Sequence, residues 1–270
     1  MSTDIEWEKW GRQDPYFGVI TDPRFRRERL GEAELQAFFD TGREHVDNVL
    51  RTARRRFDET FAPRSVLDFG CGVGRAAIPF AALAERVVGV DVSESMLGEA
   101  RRNAQTASVD NIEFLRRGDL ADIPAGSFDL VHSVMVLQHI DPQRGTRIFG
   151  QLVAALAPRG IGAVHVTYAK AIHTETLGIP PAVAPPPPPQ PSRRALLRSL
   201  LLGTPLHDAS EDIASAVAPL KENADPVMLM NSYSLTPLFF YLQLAQVGTV
   251  YSEFTNHGGE LGLFLFFQKP

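Results

Sequence analysis

The sequence predicts an α/β protein built on a doubly wound, mostly parallel sheet, and two observations lead to this prediction. From Pro63 onward, short apolar runs alternate with segments of helical periodicity. Such alternation is typical of right-handed strand-helix-strand crossovers, which form a parallel sheet covered by helices on both faces. The first apolar run also leads directly into a glycine-rich loop followed by a helical segment, as in α/β proteins that bind ligands at the carboxyl edge of the sheet.

The individual elements follow from the spacing of apolar residues. Five strands are predicted over residues 65–70, 86–92, 112–119, 128–136 and 161–168. Helices are predicted between them over residues 75–85, 93–107 and 147–157. Residues 234–248 predict a further helix, and residues 249–270 predict two strands joined at His257-Gly258-Gly259. These last two strands form an antiparallel hairpin that closes the sheet.

The segment before the sheet is predicted to be helical. Apolar residues recur at intervals of three and four from Leu35 to Phe61, which indicates an amphipathic region that we divide into two helices near Thr41-Gly42. The leading residues are rich in aromatic side chains: Trp7, Trp10, Tyr16 and Phe17. We therefore expect residues 1–62 to form a helical lid or cap and residues 63–270 to form the main domain.

An insertion at about residues 170–231 interrupts the alternation. Eight of the twelve residues from 180 to 191 are proline, and so few backbone donors exclude a helix or a central strand there. We expect an exposed loop with polyproline character.

Composition excludes several classes of protein. The chain has 270 residues, 44% of them hydrophobic, and a formal net charge of −5, so no excess of positive charge favours a nucleic-acid partner. Cys71 is the single cysteine and cannot form an internal disulfide, and we expect no metal site. No apolar stretch is long enough to span a membrane, and the first ten residues are too acidic and polar for a signal peptide. The sequence thus predicts a cytoplasmic protein without a membrane partner, and it indicates no oligomeric state.

The most informative segment is the loop Gly70-Cys71-Gly72-Val73-Gly74 after the first strand. A dinucleotide-binding fingerprint that starts at Gly70 requires glycine at position 75, where this chain has Arg75. The strand also contains Asp68, and a carboxylate beside the loop suits a cationic ligand group and disfavours a pyrophosphate. A nicotinamide cofactor is therefore disfavoured.

The pattern D-x-G-x-G-x-G after a first strand resembles the class I S-adenosylmethionine-dependent methyltransferases. The resemblance covers residues from about 63 to 168 and the C-terminal hairpin. It implies a Rossmann-like, seven-stranded sheet of order 3-2-1-4-5-7-6 and S-adenosyl-L-methionine as the cofactor. It further implies that Asp91 holds the ribose hydroxyls, that Asp119 contacts the adenine amino group, and that Val92 and Leu120 lie against the adenine ring. The remaining cofactor-binding residues that we expect are Asp68, Gly70, Cys71, Gly72, Gly74, Ser133 and, from the lid, Tyr16.

His139 is the candidate catalytic base. It follows the fourth predicted strand, at the edge where open α/β sheets bind ligands, and similar enzymes use a histidine in this segment as a base. A structural role for His139 is the alternative. Of the other histidines, which are scattered singly along the chain, His132 is expected to be packed in the sheet and His257 to be a turn residue. Tyr168 and His173 are expected to line the acceptor pocket.

The resulting hypothesis is a metal-independent methyltransferase that acts on a small molecule, at a hydroxyl group. Transfer to nitrogen or carbon is an alternative within the same fold. A protein that keeps the cofactor as a scaffold without transferring a methyl group is an alternative from a different class. An oxidoreductase is the remaining alternative.

Overall fold

The computed structural model describes residues 3–173 and 225–270. Its central feature is a seven-stranded sheet of order β3-β2-β1-β4-β5-β7-β6. The strands are β1 (Ser65–Phe69), β2 (Arg86–Asp91), β3 (Ile112–Arg116), β4 (Phe128–Ser133), β5 (Leu156–Lys170), β6 (Val250–His257) and β7 (Glu260–Gln268). Strands β1 to β5 are parallel, whereas β7 runs antiparallel to both β5 and β6. The fold class, the strand order and the C-terminal hairpin are therefore confirmed.

Helices cover both faces of this sheet. The described helices are α1 (Thr3–Gln13), α2 (Pro15–Val19), α3 (Glu32–Arg56), α4 (Ala77–Ala81), α5 (Glu94–Thr106), α6 (Pro142–Ala155) and α7 (Leu235–Leu244). Side chains from α3, α4 and α5 share a core with one face, and those from α6 and α7 share a core with the other. Along β1, Val66 and Leu67 belong to opposite cores because successive side chains of a strand alternate between faces.

Several element boundaries differ from the sequence-based prediction. Strand β4 ends at Ser133 instead of residue 136, because Met135 has a φ of 60° and the chain then enters a 3-10 turn, Leu137–His139. Helix α6 begins earlier than expected because Pro142 occupies its first turn and Asp141 caps it, accepting hydrogen bonds from two amides of the first turn. Strand β3 is shorter than predicted, strand β5 is longer, and α4 covers only residues 77–81.

The predicted break near Thr41-Gly42 is wrong, because residues 32–56 form one continuous helix. Gly42 is buried in this helix, against the backbone of Arg75, and a Cβ at position 42 would collide with the carbonyl oxygen of Arg75. Because Gly42 has no side chain, α3 can pack closely against the segment that follows the glycine loop. Sequence periodicity cannot distinguish this use of glycine from a helix end.

We expect Gly42→Ala to destabilise the protein even though alanine is the better helix former. The added methyl group has no space without a shift of α3 away from Arg75, and such overpacking costs about 1–3 kcal/mol. Gly98 is the matched control, since it lies inside α5 and a Cβ there would meet only the end of the Arg102 side chain, at 3.9 Å. Gly98→Ala should raise stability by roughly 0.5–1 kcal/mol. Urea unfolding measures both changes, and two changes of the same sign would contradict the packing of Gly42.

The N-terminal helices form their own apolar cluster beside the sheet. Trp10, Tyr16, Phe25 and Phe38 are buried there together with Met96 of α5. Residues 1–172 and 226–270 belong to one compact unit. The N-terminal segment is therefore packed onto the main body, and the predicted domain boundary at residues 62/63 stays a prediction.

The proline-rich part of the insertion, residues 180–191, lies outside the described residues, so its exposed-loop character also stays a prediction. Residues 226–234, here called the return segment, lead back to the sheet without regular structure. The amide of Asn231 donates to the carbonyl of Gln138, and the amide of Tyr233 donates to that of Thr167. Among the helices of residues 3–173 and 225–270, none is long and apolar enough to cross a membrane.

Candidate active site

The glycine loop joins β1 to the helical segment that follows. Gly70 and Gly72 have φ values of 76° and 53°, in the region that favours glycine. A Cβ on Gly70 would collide with Val136, and a Cβ on Gly72 would lie 2.8 Å from Val19 Cγ2. The loop thus lies against Val136, which follows β4, and against Val19 of the N-terminal segment. Gly74, also at positive φ, faces Ile78 and Ala100.

Cys71 of this loop is buried, with 4% of its surface exposed. Burial raises the pKa of its thiol well above the ordinary value, and the carboxylates of Asp91 and Asp68 raise it further. The thiol is therefore neutral at physiological pH and is not an activated nucleophile. A Cβ on Gly89 would lie 3.0 Å from Cys71 Sγ, so the small side chain fills a tight space between loop and sheet.

Asp91 lies at the end of β2 and faces the glycine loop. Its Oδ2 accepts a hydrogen bond of 2.9 Å from the amide of Gly72, and its Oδ1 accepts one of 2.9 Å from the amide of Ser93. Burial raises the pKa of Asp91 to about 6. Each oxygen of a carboxylate has a second lone pair, so Asp91 can accept two further hydrogen bonds, as a diol requires.

A cleft of about 600 Å³ opens between α1 and the residues that follow β2 and β3. The residues that line it are Asp4, Ile5, Glu8, Lys9, Arg12, Val92, Arg116, Arg117 and Gly118. Of the three residues expected beside the adenine, Val92 is among these lining residues, and its contact with the ring stays a prediction. Asp119 is exposed and its Oδ1 accepts from the amide of Ala121, while Leu120 is buried in the core beneath. Neither of these two residues is among the lining residues.

Helix α1 is attached to the first turn of α5 through Glu8. Glu8 Oε1 accepts from Ser95 Oγ at 2.7 Å, and Oε2 accepts from Ser93 Oγ at 2.9 Å. Although burial raises the pKa of Glu8, the hydrogen bonds from Ser95 and Ser93 lower it to about 2. Helix α1 is therefore attached to the chain two residues after Asp91, at Ser93. No pattern in the sequence singled out Glu8, because an acid in an exposed amphipathic helix is ordinary.

Asp68 is buried near the end of β1, with 3% of its surface exposed. Its Oδ1 lies 2.7 Å from His132 Nδ1, and its Oδ2 is buried without a hydrogen-bond partner among the described residues. Since a buried carboxylate oxygen without a partner is costly, Oδ2 is the natural acceptor for a group that the chain does not supply. The prediction that His132 is held inside the sheet is confirmed, because it is fully buried.

Ser133 ends β4 on the same edge of the sheet. It is fully buried, and its Oγ has no partner among the described residues. Two unpartnered oxygens, from Asp68 and Ser133, thus lie near the carboxyl ends of the two central strands.

His139 lies in the 3-10 turn after β4 and is 7% exposed. Its Nδ1 lies 2.8 Å from the carbonyl oxygen of Leu229 in the return segment, and Trp7 of α1 packs edge-on against the ring at 4.9 Å. A carbonyl oxygen only accepts, so Nδ1 carries a proton in this hydrogen bond. Burial lowers the pKa of His139 below its ordinary value. The ring is therefore neutral at physiological pH, and the lone pair is on Nε2.

Gln138 orients the other side of the same ring. Its Nε2 lies 3.3 Å from His139 Nε2, and its Oε1 accepts a 3.0 Å hydrogen bond from Thr167 Oγ1. The amide of Gln138 thus faces the unprotonated nitrogen. Sequence reasoning missed Gln138 and Leu229: the first is next to the predicted base, and the second falls in a region interpreted only as insertion.

Tyr16 has a different environment from the predicted one. Its hydroxyl lies 2.7 Å from Glu99 Oε1 and 2.9 Å from Asn103 Oδ1, both on α5, and burial raises its pKa above the ordinary value. The ring packs edge-on against Phe38 at 5.1 Å. The structure thus places Tyr16 in the apolar cluster of the lid, and the predicted contact with the cofactor stays a prediction.

The other predicted acceptor-side residues are dispersed. Tyr168 packs against the core on the α6 side, and His257 is exposed at the hairpin, 5.4 Å from the ring of His165. His173 ends a 3-10 turn, and its side chain is not among those described. Within residues 3–173 and 225–270, no group of three or more His, Cys, Asp or Glu residues is arranged to hold a metal ion.

Comparison with known proteins relates this site to one family. Residues 66–160 match the family model described as a methyltransferase domain. The chain is 38% identical over 95 residues to a magnesium-protoporphyrin O-methyltransferase of Synechocystis, covering 35% of this chain and 40% of that protein. It is 37% identical over 98 residues to a 23S rRNA uracil-C5 methyltransferase of Marinomonas posidonica, covering 36% of this chain and 22% of that protein. The matched region thus spans less than half the length of these curated relatives.

A solved structure extends the similarity to the whole fold. The crystal structure of magnesium protoporphyrin IX methyltransferase from Synechocystis PCC 6803 with bound S-adenosylhomocysteine matches over 100% of both chains, with a TM-score of 0.59 and 17% identity. This likeness concerns the fold, and the family-model match covers β1 to the start of β5, including the glycine loop and Asp91. Residues 66–160 are therefore similar to a methyltransferase domain, and the fold of the chain is similar to that of this methyltransferase.

Proposed function

We propose that this protein transfers a methyl group from S-adenosylmethionine to a hydroxyl of a small organic acceptor, with His139 as the base. The observation that carries the proposal is the hydrogen bond of 2.8 Å from His139 Nδ1 to the Leu229 carbonyl, which leaves Nε2 unprotonated. A neutral imidazole with a fixed tautomer is suited to accept a proton.

The residues at the carboxyl edge of the sheet fit the cofactor. Asp91 has lone pairs for two ribose hydroxyls, and Val92 presents an apolar surface to the cleft that suits an adenine ring. The unpartnered Oδ2 of Asp68 suits the ammonium of the methionine part, and Gly70 and Gly72 give a backbone without side chains. When bound, S-adenosylmethionine supplies a methyl group that is already activated for displacement.

The chain itself supplies alignment and a base. Proximity and orientation contribute roughly 7–11 kcal/mol to reactions of this kind, so a closed site needs few catalytic groups. The acceptor hydroxyl replaces the Gln138 amide, which lies 3.3 Å from His139 Nε2, and Nε2 takes the acceptor proton as the acceptor oxygen gains the methyl group. Helix α1 lies beside this turn, since Trp7 contacts the ring of His139 and Thr3 Oγ1 donates to its carbonyl at 2.7 Å. The lid thereby excludes water on that side.

The preference for oxygen and for a small acceptor rests on several observations. A hydroxyl acceptor must lose its proton and therefore needs a base, which a neutral histidine can supply, whereas an amine with a free lone pair needs no base for its attack. The chain has a net charge of −5, which disfavours the RNA substrate of the rRNA methyltransferase that it resembles. The Synechocystis relative is by name an O-methyltransferase of a small molecule.

The test is an assay with labelled S-adenosylmethionine against matched acceptors. Catechols, phenols, the corresponding anilines and a folded ribosomal RNA fragment are incubated separately, and products are identified by mass spectrometry. We expect a gain of one methyl group on hydroxyl acceptors only. Methylation of the aniline members or of the RNA would replace the proposed acceptor, and binding of the cofactor without any transfer would support the scaffold alternative.

We expect Asp91→Ala to weaken the binding of S-adenosylhomocysteine without unfolding the protein. Two ribose hydroxyls and the amide of Gly72 lose their acceptor, which costs roughly tenfold to a hundredfold in affinity. Asp129→Ala is the control, because Asp129 also accepts from two amides, Arg64 and Ser65, but at the opposite edge of the sheet. Calorimetric titration should show weaker binding for the first variant only, and equal dissociation constants would remove Asp91 from the site.

The affinity of the wild type should also depend on pH. Burial raises the pKa of Asp91 to about 6, so the carboxyl takes up a proton as the pH falls through that value. The protonated group accepts fewer hydrogen bonds, and S-adenosylhomocysteine should bind more weakly at pH 5 than at pH 7.5. The Asp91→Ala variant should lack this part of the pH dependence.

Removal of divalent cations should leave turnover unchanged, because in this proposal the proton goes to an imidazole. Turnover is measured before and after dialysis against EDTA, and again after addition of Mg²⁺. A loss on dialysis that Mg²⁺ restores would contradict the assignment of the base to His139.

A further inference from the structure

Behind Asp68, two histidines form a continuous hydrogen-bonded chain that leads away from the proposed cofactor site. His132 Nδ1 lies 2.7 Å from Asp68 Oδ1, and His132 Nε2 lies 2.8 Å from Nε2 of His45 on α3. His132 is fully buried and Asp68 nearly so. Both ring nitrogens of His132 are thus engaged, which is more than packing in a sheet requires.

When both imidazole rings are neutral and the carboxylate is ionised, these contacts permit one arrangement of protons. Ionised Asp68 only accepts, so His132 Nδ1 carries a proton and its Nε2 has a lone pair. The 2.8 Å contact between the two rings then needs a proton on His45 Nε2. Burial and, to a smaller extent, the neighbouring His132 together lower the pKa of His45 to about 2, so His45 is a neutral donor. Each hydrogen bond fixes the tautomer of the next ring.

The packing around the chain keeps the rings in place. His45 stacks on Phe264 at a centroid distance of 5.7 Å, and Phe80 lies edge-on to His132 at 5.2 Å. His132 Nδ1 lies 2.7 Å from Oδ1 of Asp68. One oxygen of Asp68 is therefore occupied within the protein and the other, Oδ2, has no partner among the described residues.

We propose that His132 and His45 are positioning residues that hold the Asp68 carboxylate turned so that Oδ2 is presented to the cationic amino group of the cofactor. This proposal rests on the proposed function, because it takes S-adenosylmethionine as the ligand. The histidine pair contacts neither the acceptor base His139 nor its partners Gln138 and Leu229, so its role concerns cofactor binding and not proton removal from the acceptor.

The test compares two ligands that differ in the group Asp68 would hold. S-adenosylhomocysteine carries the ammonium, whereas 5′-methylthioadenosine has the same adenine and ribose but no amino-acid part. Calorimetric dissociation constants are measured for both ligands with the wild type and with His132→Leu. We expect His132→Leu to weaken S-adenosylhomocysteine by roughly tenfold or more and to leave 5′-methylthioadenosine within about twofold. A loss of general structure would weaken both ligands alike.

Two further variants keep the test decisive if His132→Leu does not fold. His132→Asn retains a donor near the position of Nδ1 and should keep most of the preference for S-adenosylhomocysteine. His45→Phe preserves the stacking on Phe264 but removes the second donor, and the preference should fall by roughly fivefold. An unchanged ratio of dissociation constants in His132→Leu and His45→Phe, or an equal loss for both ligands, would overturn the positioning role. Failure of the wild type to bind either ligand would instead contradict the proposed function.

Discussion

Replacing His139 by alanine is expected to lower turnover by roughly 10²–10⁴, the usual contribution of a positioned general base. Cofactor affinity should change little, since His139 contacts Leu229, Gln138 and Trp7 and none of the residues proposed to hold the cofactor. Turnover of the wild type should fall as the pH drops, because protonation of Nε2 removes the base. Burial lowers the pKa of His139, so the midpoint should lie below the ordinary value of about 6.5. Steady-state kinetics between pH 4.5 and 8 measure both effects.

The control for this variant is His257→Ala, since His257 is exposed at the tip of the hairpin and was considered as a turn residue. It should keep its turnover and its pH profile. If His139→Ala keeps near-normal turnover with an amine acceptor, nitrogen becomes the favoured acceptor atom. Near-normal turnover with a hydroxyl acceptor would exclude His139 as the base.

The second large effect is expected for Gly72→Val, which should abolish measurable binding of S-adenosylhomocysteine. A β-branched residue at a φ of 53° is strained, and its Cβ would lie 2.8 Å from Val19 Cγ2. The amide of Gly72 also donates to Asp91, so a displaced loop would disturb the ribose side as well. Calorimetric titration and a circular dichroism spectrum separate loss of binding from loss of fold.

A matched glycine elsewhere isolates the role of the loop. Gly126 also has a positive φ, 72°, but a Cβ there has no atom within 4 Å. Gly126→Val should therefore lose stability from the same backbone strain and still bind S-adenosylhomocysteine normally. Normal binding by Gly72→Val would show that the loop does not form the cofactor site.

The sheet could be predicted from the sequence because its signals are local. Apolar runs of strand length, the glycine loop after β1 and an acid at the end of β2 each depend on a few consecutive residues. The order of the strands came from the resemblance to a known family, since no local sequence pattern determines which strands pair. The role of Asp91 was implied by the same resemblance, and the structure places its carboxylate within hydrogen-bond distance of the Gly72 amide.

What could not be predicted depends on contacts between distant residues. Gly42 resembles a helix break until the backbone of Arg75 is brought beside it. The histidines are separate in the sequence, yet His45, His132 and His165 all lie within 6.5 Å of the ring of Phe264. Neither Leu229 nor Glu8 stands out in the sequence. Tertiary packing brings the carbonyl of Leu229 to His139, and it brings the carboxylate of Glu8 to Ser95.

The central claim is that the glycine loop and Asp91 bind S-adenosylmethionine and not a dinucleotide. Calorimetric titration of the wild-type protein with S-adenosylhomocysteine and, separately, with NAD tests it most directly. The account predicts saturable binding of S-adenosylhomocysteine with one site per chain, weakened in Asp91→Ala, and no heat with NAD. Binding of NAD in the absence of S-adenosylhomocysteine binding would contradict it.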